Sequence, residues 1–103
     1  SQAQQIDSML SDAAHQLTAN PAAYLAQMGL NSSNKGYEIT ANVPANMRAR
    51  LGLRPGDRII SLNGQTLGQP TNDARLLDQV KQQRRAQIEV QRGEQTMTIQ
   101  QSF

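Results

Sequence analysis

Apolar residues recur along the N-terminal part of the chain at the period of an α-helix. One stripe of small and apolar residues lies on a single face there, formed by Ile6, Met9, Leu10, Ala13, Ala14 and Leu17. Asn20 followed by Pro21 predicts the N-cap and first position of a second helix, and Gly29 predicts its end. The pattern therefore indicates two consecutive helices. The stripe on the first helix is compatible with packing on the domain, with pairing to another chain, or with a frayed end.

The period changes to that of a strand in the next part of the chain. Residues 31–36 are polar and predict a loop, and the residues from Tyr37 to Val43 then alternate between apolar and polar. A short helical pattern from Val43 to Leu51 follows. The expected order here is loop, half-buried strand and short helix.

The run from Gly52 to Gly64 is the most informative segment of the sequence. Gly52 predicts a helix end, and Pro55-Gly56 predicts a type II turn that the Asp57 carboxylate can cap. A short apolar strand and a hairpin turn complete the run, at residues 59–62 and 63–64.

The last third of the chain predicts one helix and one hairpin. The helix opens at Pro70, with Thr71 or Asn72 as its cap, and residues 86–91 and 95–101 alternate as two strands. Arg92-Gly93 predicts the tight turn between them. The whole order indicates a small α+β domain with an antiparallel sheet closed as a partial barrel.

Composition excludes several classes of function. The 103 residues allow one domain, and the formal net charge of +2 is dispersed without aromatic residues between the basic ones, which argues against nucleic-acid binding. There is no cysteine, so disulfide and thiolate chemistry are excluded. No apolar run reaches the ~18–20 residues that cross a bilayer. The chain does not begin with Met, and we expect it to be a fragment of a longer protein.

The sequence contains no strong candidate for a catalytic residue. The single histidine, His15, lies on a helix rich in Gln and Ala, and no nucleophile motif accompanies it. The four methionines are scattered and indicate core filling. We expect no enzyme activity, no cofactor and no metal site.

The segments Gly52-Leu53, Gly56-Asp57 and Asn63-Gly64, with their spacing, resemble a bacterial PDZ domain. The resemblance narrows when four further features are included, namely Asn20-Pro21, Gly36-Tyr37, Val90 to Gly93, and the end at Phe103. With these the chain is similar to the PDZ domain of the inner-membrane protein C family of type II secretion systems. The resemblance implies a PDZ-like, partly closed antiparallel β-barrel or sandwich with two flanking helices, at residues 19–103. Residues 1–18 would be a helical linker segment ahead of it.

The same resemblance implies a function and a location. The module would be a non-catalytic interaction domain of a single-span inner-membrane protein, located in the periplasm. Its partners would be secreted exoproteins or other components of the secretion machine, including those that couple the inner-membrane platform to the outer-membrane secretin. Self-association through the N-terminal helix follows instead from its apolar stripe, as one of the three alternatives given above.

The resemblance also implies a peptide groove between one strand and the long helix. The expected groove consists of Asn34, Lys35, Gly36, Tyr37, Glu38, Ile39, Thr40 and Ala41 on the strand side and Asp73, Leu76, Leu77 and Val80 on the helix side. Amides near Lys35 and Gly36 would receive a terminal carboxylate. Two departures weigh against that capture: Lys35 stands where such domains place an apolar residue, and Asp73 would repel a carboxylate.

A second function fits the same pattern. The chain would then be a regulatory, peptide-binding PDZ domain of a periplasmic serine protease or an intramembrane protease. That function predicts an apolar-Gly-apolar loop, which Lys35-Gly36-Tyr37 meets only in part.

Overall fold

The computed structural model describes residues 1–103, and its N-terminal part consists of two helices. Helix α1 spans Gln2–Ala19 and helix α2 spans Pro21–Met28. The Asn20 side chain accepts a hydrogen bond from the Ala23 amide at 3.4 Å, and Gly29 ends α2 in the left-handed conformation. The predicted start and end of α2 are therefore confirmed.

The remainder of the chain forms one antiparallel sheet and two more helices. In chain order these elements are β1 (Leu30–Ser33), β2 (Gly36–Ile39), α3 (Ala45–Leu51), β3 (Arg58–Leu62), β4 (Gln65–Thr66), α4 (Pro70–Gln83), β5 (Arg85–Arg92) and β6 (Gln95–Ser102). The sheet runs in the order β1-β2-β3-β5-β6, and β4 pairs with β3. The predicted α+β architecture with an antiparallel sheet and an N-terminal helix is confirmed.

Three local predictions differ from the structure. Residues 30–33, most of which lie in the predicted polar loop, form strand β1 because they pair with β2, from Leu30 opposite Ile39 to Ser33 opposite Gly36. Strand β2 in turn ends at Ile39, earlier than the predicted Val43. Helix α4 has Gln69 as its N-cap with no side-chain hydrogen bond, so neither Thr71 nor Asn72 caps it. Pro70 occupies the first turn instead, where a missing amide is tolerated.

The core lies between the sheet and the helices. Its larger part brings Ala14 and Leu17 of α1 and Leu25 of α2 against Leu76 and Val80 of α4. A smaller cluster contains Ile39, Val43, Leu53 and Val90, under α3. Because α1 contributes buried side chains, it is packed on the domain; the division into a linker at 1–18 and a domain at 19–103 stays a prediction.

A buried ion pair joins the Gly52–Gly64 segment to the far hairpin. Asp57 is 2% exposed, and its carboxylate accepts hydrogen bonds from Arg92 Nε and Nη2 at 2.8 and 2.7 Å. It also accepts one from the Arg54 amide at 2.8 Å, which confirms the predicted turn cap. The Arg92 guanidinium lowers the pKa of the Asp57 carboxyl below its ordinary value. The turn and the end of β5 are thereby held together.

No helix has the length and apolar character needed to span a membrane. Likewise, no group of three or more His, Cys, Asp or Glu side chains is arranged to hold a metal ion.

Two glycines with nearly equal backbone angles give a test of the close approach between β2 and β3. Gly36 and Gly56 have φ of 96° and 97°. A Cβ at Gly36 would overlap the Ile59 carbonyl, whereas one at Gly56 would meet nothing within 4 Å. We expect Gly56→Ala to lower the free energy of unfolding by about 1–2 kcal/mol, the cost of the left-handed backbone alone. Gly36→Ala should lower it by at least about 3 kcal/mol.

Chemical denaturation of both variants measures this difference. Equal losses at the two positions would contradict the close approach of β2 to β3 seen in the structure.

Candidate functional site

An apolar cavity of about 220 Å³ separates strand β1 from helix α4. The cavity wall is formed by the helices α1, α2 and α4, by strands β1, β2, β3 and β5, and by the segment before α4. The lining residues are Ala13, Leu17, Tyr24, Leu25, Leu30, Tyr37, Ile59, Leu62, Leu67, Asp73, Leu77 and Ile88. Pockets for drug-sized ligands measure roughly 300–1,000 Å³. This cavity is smaller, and it suits one or two side chains of a bound polypeptide.

Asp73 is the single polar residue in the wall of this cavity. It is 2% exposed, and its Oδ2 accepts hydrogen bonds from the Tyr37 hydroxyl and, at 2.9 Å, from the Gly68 amide. Its Oδ1 is buried and has no hydrogen-bond partner. Burial, followed by the contact with Asp73, raises the pKa of the Tyr37 phenol above its ordinary value. The carboxyl group thus fixes the start of α4 against β2 and leaves one acceptor atom unused.

Helix α1 is held along α4 by polar contacts at its exposed side. Arg84 pairs with Asp7 at 2.5 Å, and Lys81 Nζ donates to Ser11 Oγ at 2.7 Å. The pair with Arg84 lowers the pKa of Asp7. Of the apolar stripe proposed for self-association, Ala14 and Leu17 are buried within one chain, whereas Met9 is 46% exposed. Self-association through this helix stays a prediction.

The strand predicted to receive a peptide is an interior strand. β2 pairs with β1 on one side and with β3 on the other, where Tyr37 lies opposite Ile59. Beyond the ladder, the Ile39 amide donates to the Asp57 carbonyl and the Thr40 amide to the Gly29 carbonyl. The backbone from Tyr37 to Thr40 is thus occupied, and this part of the prediction is corrected. β1 is the edge strand beside the cavity.

The predicted groove residues fall into separate places. Tyr37, Asp73 and Leu77 line the cavity. The predicted groove residues Ile39, Leu76 and Val80 are instead buried in the core, at 2–3% exposure, and do not line the cavity. The other predicted groove residues lie elsewhere. Asn34 and Lys35 border a polar hollow of about 320 Å³, Gly36 is buried at the start of β2, and Ala41 is exposed in a turn. The Glu38 carboxylate accepts a hydrogen bond from the Asn31 side chain, and the Thr40 hydroxyl donates one to the Gly29 carbonyl. The amides near Lys35 and Gly36, which were expected to receive a terminal carboxylate, thus belong to residues that do not line the apolar cavity.

Sequence reasoning missed Leu30 and Leu67 as cavity residues. Both are isolated apolar positions, one before the polar stretch Asn31–Ser33 and one before Gly68. Neither belongs to a periodic pattern, so no local signal identifies them. Tyr24 and Leu25 lie on α2, and only the positions of α1 and β1 make their face of that helix part of a cavity.

Comparison with known proteins identifies the fold. A family model described as PDZ domain matches residues 44–92. The structure is similar to the PDZ domain of EpsC from Vibrio cholerae, residues 204–305, with a TM-score of 0.59 and 18% identity over 96% of this chain and 99% of that one.

A second structure of that domain gives the same result. It contains residues 219–305 of EpsC and matches with a TM-score of 0.54 and 22% identity over 75% of this chain and 98% of that one. No curated protein matches the chain in sequence. The chain therefore has the fold of a PDZ domain, a class of non-catalytic protein-interaction modules.

Two neighbouring leucines of α4 lie in different environments, one in the core and one at the cavity. Leu76 is 3% exposed in the core, whereas Leu77 is partly buried and faces the cavity. We expect Leu76→Ala to lower the free energy of unfolding by about 2–4 kcal/mol, as Ile39→Ala should. Leu77→Ala should lower it by less than about 1.5 kcal/mol because an opening already exists beside it. Urea denaturation measures each loss, and a loss below about 1 kcal/mol at both Leu76 and Ile39 would contradict the core assignment.

The raised pKa of Tyr37 predicts a loss of stability in alkali. An unfolded tyrosine ionises near pH ~10, while the folded protein retains the Tyr37 proton to higher pH. Stability linked to Tyr37 is therefore fully present below about pH 10 and is lost as the pH rises towards the folded-state pKa. Tyr37→Phe should be less stable at neutral pH, since it lacks the bond to Asp73, and should lose less stability above pH ~10.

Tyr24→Phe is the control for the bond to Asp73: burial also raises the pKa of Tyr24, so this variant should likewise lose less stability in alkali, but no carboxyl group binds its hydroxyl and its loss at neutral pH should be smaller. Denaturation at a series of pH values tests the expectation. Parallel curves for the parent chain and Tyr37→Phe would contradict it.

Proposed function

We propose that this domain is a periplasmic protein-interaction module of a type II secretion inner-membrane component. In that role it contributes to exoprotein recognition or to coupling the inner-membrane platform to the outer-membrane secretin. The observation that carries the binding role is the apolar cavity beside a free sheet edge.

The free edge is suited to strand addition. The Thr40 amide donates to the Gly29 carbonyl at 3.1 Å, so residues 29 and 40 form a hydrogen-bonded pair of the antiparallel ladder. Alternation then directs the backbone groups of Leu30 and Ser32 away from β2. An extended segment of a partner would pair with these groups and place one apolar side chain in the cavity.

The chemistry of the cavity disfavours a peptide that ends in a carboxylate there. Asp73 contributes a buried acceptor, and the two donors beside it, the Tyr37 hydroxyl and the Gly68 amide, are already bound to its Oδ2. An internal segment that carries an apolar side chain meets no such conflict, because its backbone amides are donors. The preferred partner is therefore an extended, internal segment or a loop of a folded protein.

The secretion role rests on the likeness to EpsC, a protein C of type II secretion, across nearly the whole chain. The EpsC domain that begins at residue 204 aligns with 96% of this chain, whereas the one that begins at residue 219 aligns with 75%. The similarity therefore extends to α1. It supports a periplasmic location for the domain within a membrane-anchored parent protein.

A charge placed in the cavity tests this function in the organism that encodes the chain. Leu77→Lys, introduced into the full-length protein, should lower the amount of secreted exoproteins by about tenfold and leave them in the periplasm, because an unpaired ammonium in an apolar cavity is costly. Gln79→Lys is the matched control on the exposed side of the same helix and should secrete normally.

Immunoblots must show equal amounts of both variants, and circular dichroism of the isolated domain must show that both fold. Normal secretion by a folded Leu77→Lys variant would overturn the proposal. Unchanged secretion with altered turnover of periplasmic proteins would favour the protease-regulating alternative.

A further inference from the structure

The second free edge of the sheet has none of the features that usually block edge pairing. Strand β6 runs for eight residues and pairs with β5 from Arg85 opposite Ser102 to Arg92 opposite Gln95 without a register shift. It contains no charged residue and no proline. Edge strands of monomeric proteins are normally short, charged, bulged or covered. β1, by contrast, is four residues long.

The outward-facing backbone groups of β6 follow from one hydrogen bond. The Phe103 amide donates to the Arg84 carbonyl at 3.0 Å, so residues 84 and 103 form a hydrogen-bonded pair. Alternation then gives Met97 and Ile99 hydrogen-bonded pairs with β5 and directs the amides and carbonyls of Thr96, Thr98 and Gln100 away from the sheet. Those three residues are exposed.

The side chains of β6 are self-complementary about Thr98. Residues 95–101 are Gln-Thr-Met-Thr-Ile-Gln-Gln. The order of polar and apolar side chains in this segment is the same from the N-terminal end as from the C-terminal end. If two copies pair antiparallel around a two-fold axis at Thr98, Met97 meets Ile99 of the second copy on the core side of the sheet. Thr96 meets Gln100 of the second copy on the other side, and no like charges are opposed.

We propose that β6 is a homodimer interface, in which two copies join their sheets through antiparallel pairing centred on Thr98. Met97 and Ile99 are only partly buried in one chain, and the pairing would cover them further. A strand of a different protein is the competing occupant, and in that case the isolated chain would stay monomeric.

Cysteine cross-linking tests the register, since the chain has no cysteine of its own. In the proposed dimer the two Thr98 Cα atoms lie ~5.5 Å apart, within the range that a disulfide bridges. The two Thr96 Cα atoms lie about 14 Å apart, four residues out of step. We therefore expect Thr98→Cys to form a disulfide-linked dimer under mild oxidation, and Thr96→Cys alone to form at most a small amount. Mixing Thr96→Cys with Gln100→Cys should restore cross-linking.

Sedimentation equilibrium tests the affinity without cross-linking. The average mass of the parent chain should rise from that of one copy, 11.3 kDa, towards twice that value as the concentration is raised into the millimolar range. Thr98→Lys places two ammonium groups opposite each other at the axis and should raise the dimer Kd at least about tenfold. Within one chain residue 98 lies opposite Glu89, so the variant should still fold.

Met9→Lys, on the exposed side of α1, is the matched control and should leave the dimer Kd unchanged. A parent chain that stays monomeric at millimolar concentration would overturn the proposal, and β6 would then be open to a strand of another protein. Equal cross-linking of Thr98→Cys and Thr96→Cys would overturn it as well, because random collision explains that result. A dimer weakened by Met9→Lys and not by Thr98→Lys would place the interface on α1 instead.

Discussion

The buried carboxyl group of Asp73 determines where α4 lies against the sheet, and the cavity exists because of that placement. One oxygen atom binds both the Gly68 amide and the Tyr37 hydroxyl. The loop before α4, the first turns of that helix and strand β2 are therefore held at one point. Gly68 also runs so close to the β1–β2 turn that a Cβ there would lie 3.3 Å from the Gly36 amide nitrogen. With α4 fixed at this end, Leu77 one turn further along faces β1 across the open cavity.

Asp57 has the corresponding role at the other end of the sheet. Its carboxylate joins the turn after α3 to Arg92 at the end of β5, and Arg92 also donates to the Gly52 carbonyl at 2.9 Å. The turn half of this arrangement could be predicted, because a carboxylate two residues after a proline caps its own loop. The Arg92 half could not, since 35 residues separate the partners and several other arginines were equally available.

The sequence predicts elements well where the signal is local. The helix ends at Gly29 and Gly52 and the hairpin at Asn63-Gly64 depend on backbone conformations that few residues adopt, so their positions follow directly. Strand β1 depends on tertiary pairing. Its residues Asn31–Ser33 have low strand propensity and form a strand because β2 lies beside them. Because β1 was not expected, the strand side of the predicted groove fell on β2, which is paired with β1 on one side and with β3 on the other.

The position of α1 shows the same limit. Its apolar stripe predicts a helix that buries one face, but three different surfaces could cover that face. The surface that covers this face is determined by the contact between Asp7 and Arg84, which are 77 residues apart in the sequence, and by the packing of Ala14 and Leu17 in the core. Long-range pairing of this kind leaves no periodic signal in a single sequence.

The two free edges of the sheet differ in a way that bears on assembly. β1 is short and lies beside the cavity, while β6 is long, uncharged and separated from β1 by β2, β3 and β5. Pairing through β6 would therefore leave both cavities of a dimer accessible, at opposite ends of one continuous sheet. Two weak sites on one rigid body bind a partner with repeated or paired segments far more tightly than either site alone. A small cavity that suits one or two side chains would then be sufficient for selective capture of an assembled partner, while single, unassembled chains would be released quickly.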